Sequence, residues 1–300
     1  MAYIRSMKKS FITICGCAFV FAGCMEKGPP INFTNVVVAD TTYLISPVPV
    51  ADPHNVLAEE FTGQSCGNCP DAHTLLANLA ATTNPTRLNV LGLYITGLGQ
   101  TVPPTGAKYD FRTQAATDIS NSIYSAEPAS GIPCGGIDRV PAGGLLLLSA
   151  PSWTDAYNQR LGMTDSVNLS VTSNYNGTDT TATIVATITY LQQVSTLQNL
   201  SIAIVEDSMI DLQEKNGSGV VNNYQFDDVF RGMVTSEPYG DPIASKKTVK
   251  APGTRNVRTY TYKVNAAWNP KHCRIIAFVN YNSTEPNKDV FQSVQTKLAP

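Results

Sequence analysis

The chain has 300 residues, 15% of them charged, a formal net charge of −2 and seven cysteines. That length allows two cores of ordinary size. The even charge balance offers no basic face for nucleic acid, and seven cysteines fall far short of a disulfide-built miniprotein.

The chain begins with an export address. In "MKKSFITICGCAFVFAGC", Lys8 and Lys9 precede an apolar and small run from Phe11 to Gly23 that ends at Cys24. A basic start, a short apolar stretch and small residues before the break read as a signal peptide. The run is too short to span a bilayer, which takes about 20 apolar residues. Ala22-Gly23-Cys24 resembles a lipobox, whose cysteine is lipidated and becomes the first residue of the mature chain, although Phe21 replaces the usual aliphatic residue. Residues 1–24 are thus expected to be a lipoprotein signal peptide, with ordinary cleavage nearby as the alternative. Cys15 and Cys17 leave with it, and the exported chain sits where disulfides persist.

Residues 25–54 carry five prolines and read as a tether, with one short strand around Asn35–Ile45. From Asn55 the texture changes. "VLAEEF" suits a buried strand. Ala72, Leu75, Leu76, Leu79 and Ala80 recur at helical spacing within residues 66–82. "LNVLGLYI" reads as a second buried strand and residues 109–126 as a second helix. "GGIDRV" and "GGLLLLS" form a hairpin, and "SWTDAYNQRLGM" a closing helix capped by Ser152. The order is β-α-β-α-β-β-α over residues 55–163. From residue 164 to 300 apolar and polar residues alternate in six segments, from "VNLSVTSNY" to "VFQSVQTKL", which argues for an antiparallel β-sandwich, Ig-like or jelly-roll-like. The expected fold class is therefore α+β, in two domains.

The chemistry concentrates in "EEFTGQSCGNCPDAH", where Cys66 and Cys69 flank Gly67 and Asn68. Three readings are open at this point: a redox dithiol, a permanently oxidised pair, and a metal site completed by His73, for which no fourth ligand is evident. Cys134 and Cys273 are single. They could be buried free thiols, a third thiol near the pair, or a staple between the domains.

The strand-loop-helix run "VLAEEFTGQSCGNC" resembles that of thioredoxins, and the β-α-β-α-β-β-α order fits the same fold. The resemblance implies a thioredoxin-like α/β domain with Cys66 as nucleophile and Cys69 as resolving thiol. A thiolate at a helix N-terminus is stabilised by free N–H groups and the helix dipole. It further implies that Glu60, six residues before Cys66, is a buried acid exchanging a proton with the second cysteine, with Glu59 as alternative if the register slips. "GIPCGGIDR" resembles the cis-proline loop, which implies Pro133 opposite the dithiol and Ile132, with Gly67 and Asn68, contacting an extended peptide substrate. Ser65 departs from the aromatic residue usual before the first cysteine.

A narrower resemblance covers most of the mature chain. "EEFTGxxCxNCP", Ala72-His73, "GIPxGxIDR", the helix around Trp153 and "NNYQFDDVFRGMVTSEPYGDPI" are similar to outer-membrane lipoproteins of Bacteroides-like bacteria, typified by a twenty-eight-kilodalton outer-membrane protein. Relatives often carry histidines where Asp227 and Asp228 stand here. The resemblance implies a protein lipid-anchored to the outer membrane through Cys24, on its periplasmic or cell-surface face. Two functions fit. One is a thiol-disulfide oxidoreductase acting on exported protein thiols or disulfides, or on a redox partner. The other is a non-catalytic surface binding or adhesion lipoprotein with a structural disulfide. No cofactor and no metal is expected in either.

Overall fold

A computed structural model describes residues 36–244 and 249–300. The expected signal peptide, its Cys24 and residues 25–35 of the expected tether lie outside the described residues. The chain runs β1 (Val36–Leu44), β2 (Val56–Phe61), α1 (Cys69–Ala80), β3 (Leu88–Leu93), α2 (Gln114–Ile123), β4 (Cys134–Ile137), β5 (Leu148–Ser149) and α3 (Trp153–Leu161). It continues with β6 (Val167–Asn176), β7 (Thr181–Tyr190), β8 (Gln198–Glu206), β9 (Met209–Lys215), β10 (Gly219–Phe226), β11 (Val229–Met233), β12 (Asp241–Pro242), β13 (Thr254–Lys263), β14 (Cys273–Tyr281) and β15 (Val290–Lys297).

The first stretch after the tether follows the expected order closely. β2 and β3 are parallel, β4 runs antiparallel to β2, and β5 antiparallel to β4. α1 forms because Pro70 sits in its first turn, where a missing N–H costs nothing, with Asp71 beside it at the positive end of the dipole. Ala72, Leu76 and Leu79 recur on one face and pack against Val56 and Ala58 of β2, Leu88 and Val90 of β3, and Trp153 of α3. Pro85, five residues on, would stop any helix that continued that far. Ser152 stands at the N-cap of α3 as expected, without a capping hydrogen bond from its side chain.

Beyond residue 164 the six expected strands all form and lie antiparallel in two sheets packed face to face, but neither sheet is theirs alone. β6 and β7 join β13 and β1 in a four-stranded sheet of order β1-β13-β7-β6, so the short strand expected within the tether is one edge of a sheet. β8, β14 and β15 instead enter the sheet of the first half, whose order is β15-β14-β8-β11-β3-β2-β4-β5, with β12 also on β8. The link is β11, antiparallel to β8 and parallel to β3 at Val229 and Gly92. The Gly92 amide donates to the Asp228 carbonyl at 2.8 Å. A Cβ there would press on that oxygen at 3.0 Å, so the glycine permits the join.

This long sheet curls until β15 reaches β2. The Asn55 amide N–H donates to Gln292 Oε1, Ser293 Oγ donates to the Asn55 carbonyl, and the Val290 amide donates to the Asp138 carbonyl. Side chains on one face therefore converge: Leu57, Phe61, Leu91 and Leu93 from the first half meet Val205, Phe230, Ile276 and Phe278 from the second, closed by Ile119 and Ile123 of α2. On the opposite face, Leu200, Ile202, Ile204, Ile275, Ala277 and Val279 pack against β6, β7 and β13. Every residue of β8 is buried, as a strand covered on both faces must be. Strands on both sides of position 163/164 share the first core, and the described residues fall in one compact unit. The protein is a mostly β structure of several sheets with three α-helices among the described residues.

Candidate functional site

The dithiol sits where β2 gives way to α1. Thr62 leaves the sheet donating its amide to the Leu93 carbonyl. Two bonds from Ser65, amide to the Gln100 carbonyl at 3.0 Å and hydroxyl to the Val102 carbonyl at 2.7 Å, pin the following turn. The Cys66 amide donates back to Gly63 and the Cys69 amide to Cys66, so two tight turns lead into a helix that starts at Cys69. Cys66 thus stands one turn ahead of the helix rather than within it. Cys66 and Cys69 are joined in a disulfide. That leaves no sulfur free for the metal reading with His73, and no set of three metal-type ligands converges among the described residues.

Across from the disulfide, the Ile132–Pro133 peptide is cis, and Cys66 Sγ lies 3.7 Å from the Ile132 carbonyl oxygen. Cys134 follows at the start of β4, opposite Phe61. Its thiol is free, half-buried and packed against the core that holds the disulfide. Burial, reinforced by the Glu60 carboxyl, pushes it up to about 12, which keeps it protonated. Cys273 is also free and buried, in the other core, so the two do not staple anything.

Glu59 and Glu60 point to opposite faces of β2, as neighbours on a strand must. Glu59 is saturated: Arg139 donates Nη2 and Nε to its carboxylate at 2.6 and 2.8 Å, and the Tyr124 hydroxyl donates at 2.6 Å. Glu60, on the α1 side, has no arginine, only the Thr62 hydroxyl acting on its carboxyl. Its Oε1 is buried without a hydrogen bond, 3.5 Å from His73 Nε2. Burial, and then the Asp228 carboxylate, raise Glu60 well above the ordinary carboxyl range. His73, one turn after Cys69, lies 2.8 Å from the Thr62 hydroxyl and 2.7 Å from Tyr224 Oη, and burial lowers its imidazole to about 4.

A hairpin that the sequence reading passed over covers the disulfide. The Glu214 amide donates to the Gln64 carbonyl at 2.8 Å and the Asn216 amide to the Gly67 carbonyl at 3.0 Å. Gln213 Nε2 reaches the carbonyls of Gly63 and Cys66 at 3.2 and 3.0 Å, and the Asn216 side chain bonds that of Asn68. β9 therefore lies along the dithiol loop as an extended peptide would, and Gly67 and Asn68 are in contact with it. A Cβ on Gly67 would collide with the Asn216 side chain. Cys66 is 1% exposed and Cys69 0%. The signal was present in "QEKNGSGVV", since Asn-Gly between strand-like segments is a strong hairpin marker, and Gly217 and Gly219 do adopt positive φ there.

A family described as "Outer membrane protein Omp28" matches residues 120–300, a segment that begins after the disulfide and includes Ile132, Pro133 and the hairpin. No curated protein matches the chain. Among solved structures, HBP35 of Porphyromonas gingivalis aligns over 83% of this chain and 77% of its own, with a TM-score of 0.65 at 15% identity, a likeness of fold alone. The E. coli curli protein CsgC aligns over 43% of this chain and 97% of its own at 15% identity, but a TM-score of 0.17 carries no argument.

Proposed function

The chain belongs to the Omp28 outer membrane protein family, and on that premise we propose that it is a lipid-anchored envelope protein whose Cys66–Cys69 pair exchanges disulfides with exported proteins. The observation that carries the reading is the Cys66 sulfur set against the Ile132 carbonyl at the mouth of α1. The β-α-β and β-β-α segments around it, with β2 and β3 parallel and β4 antiparallel, support a thioredoxin-like reading of residues 55–163. The anchor would be Cys24, and the partner a cysteine-bearing exported chain.

In the reduced state the Cys66 thiolate attacks a substrate disulfide and one substrate sulfur leaves as thiolate. Cys69 then attacks the Cys66 sulfur, the second substrate thiol is released, and the protein is left with the disulfide it holds here. Glu60, kept protonated by burial, is the group suited to trade a proton with Cys69. Each passage requires β9 to lift from Gln64 and Gly67, because neither sulfur reaches solvent beneath it.

One observation favours a second reading. Two sulfurs this deeply covered suit a structural disulfide in a protein that binds rather than catalyses. Thiol trapping of the full protein across a dithiothreitol series separates the two. A reversible couple between about −120 and −270 mV supports exchange, and a bond that resists reduction below about −300 mV rejects it. With Asn216→Ala, which loosens the hairpin, trapping should quicken several-fold if covering limits access. An unchanged rate would show that it does not.

A further inference from the structure

On the α1 side of β2 a cavity of about 200 Å³ opens beside Glu60. Glu60, Asp227 and Asp228 supply three carboxyls to its wall, and no lysine or arginine lines it. Arg274 approaches Asp228 at 2.5 Å but does not line the cavity, and Asp227 takes its bonds from Gln225 and the Ser208 amide. The one basic ring present, His73, is held neutral. Glu60 Oε1 is the acceptor left over: its residue is 3% exposed, and the atom has no hydrogen-bond donor. A buried acceptor without a donor is costly and calls for a ligand or an ordered water.

The opposite wall is apolar, made by Leu76, Ala77 and Val90. At this volume the cavity lies below the roughly 300–1,000 Å³ of drug-sized sites, so its occupant is of side-chain size. A metal ion fits poorly, because no three of these groups converge on one point. A guanidinium wants a free carboxylate in bidentate contact, and Asp228 already bonds Arg274. A primary ammonium needs separated acceptors for its three N–H groups, and its methylenes suit the apolar wall. Tyr224 offers a ring at the same rim.

We propose that this cavity binds a primary ammonium group on a short aliphatic chain, donated either by a lysine side chain of a partner protein or by a free diamine. Burial raises the carboxyls of both Glu60 and Asp228, and an ammonium bound among them would favour their ionised forms. The site shares Glu60 with the proposed dithiol chemistry, but amine binding can be read whether or not Cys66 and Cys69 cycle.

Calorimetric titration of the full protein with cadaverine, with Nα-acetyl-lysine methylamide and with its Nε-acetylated form tests this. Saturable one-to-one binding of either amine, absent for the Nε-acetylated form, is expected. Glu60→Gln should weaken it at least tenfold and the exposed Asp227→Asn several-fold, the latter serving if the first variant folds poorly. Preference for the lysine amide points to a protein partner, and preference for cadaverine to a free amine. No saturable binding of either, or affinity unchanged in both variants, overturns the proposal. So does displacement of the amine by equimolar calcium or magnesium chloride, which would make the site one for a divalent ion.

Discussion

His54 and His73 both meet carboxyl groups inside this protein, yet they are opposites. His54 is fully buried and closed on all sides: its Nδ1 lies 2.7 Å from Asp165 and its Nε2 2.7 Å from Asp138. Arg160 donates to the same Asp138, and Gln292 Nε2 to Asp165. Burial alone would lower its pKa, but the two carboxylates overcome that and hold it at about 9. His73 has hydroxyl partners and an acid that burial pushes towards its neutral form, so burial takes its imidazole to about 4. The contrast shows where to look for function. A histidine held as a cation between two buried carboxylates is a fastener, here tying the segment before β2 to the β4 end, to α3 and to β15. One that shares a cavity with an unsatisfied acid is open to something else.

The contrast can be broken most forcefully at His54. His54→Ala leaves Asp138 and Asp165 buried without their shared cation and should cost about 3–5 kcal/mol in urea unfolding. A loss under about 1 kcal/mol would show that Arg160 carries the network alone. Next comes pH. A folded pKa of about 9 against the ordinary 6.5 means His54 stabilises fully below about pH 6.5 and loses that contribution as pH rises through 9, roughly 3 kcal/mol in all. His73, lowered to about 4, works the other way: its contribution is complete above 6.5 and lost as pH falls towards 4. Unfolding midpoints from pH 4 to 10 should therefore lose their alkaline decline in a His54 variant and soften their acid decline in a His73 variant. The same decline in both would erase the distinction.

Smaller effects sharpen it. His73→Ala strips a partner from Thr62 and Tyr224 beside a cavity that admits water, so about 1 kcal/mol is expected by denaturant titration. A cost like that of His54→Ala would make His73 a second fastener. Glu60→Gln should change stability least, within about 0.5–1 kcal/mol at pH 7, because it removes an acid that lacks a counter-charge. A large loss there would mean that the carboxyl has a structural partner.

Much of this was legible in the chain. The β-α-β-α-β-β-α order followed from residues whose periodicity and breakers agree, such as Ala72, Leu76 and Leu79 followed by Pro85. The six later segments read as strands, because alternation survives whichever sheet receives them. What alternation does not carry is the identity of the neighbour. β8, with "NLSIAIVE", satisfies a sandwich as well as a sheet covered on both faces, and five-residue β11, with Gly232 inside it, gives too weak a pattern to announce the join. The hairpin had its Asn-Gly marker, but a turn says nothing of where its strands will lie.

By itself, then, the sequence determined local structure, the placing of two cysteines a turn apart at the head of a helix, and the family. Tertiary structure decided that Glu59 meets an arginine and Glu60 does not, that β9 lies over the disulfide, and that one core takes strands from both halves of the chain. The reason is physical. Backbone geometry and side-chain period are set by neighbours within a few residues, whereas burial, pairing and charge depend on groups such as Arg139, Asn216 and Asp228, which only the folded chain brings within reach.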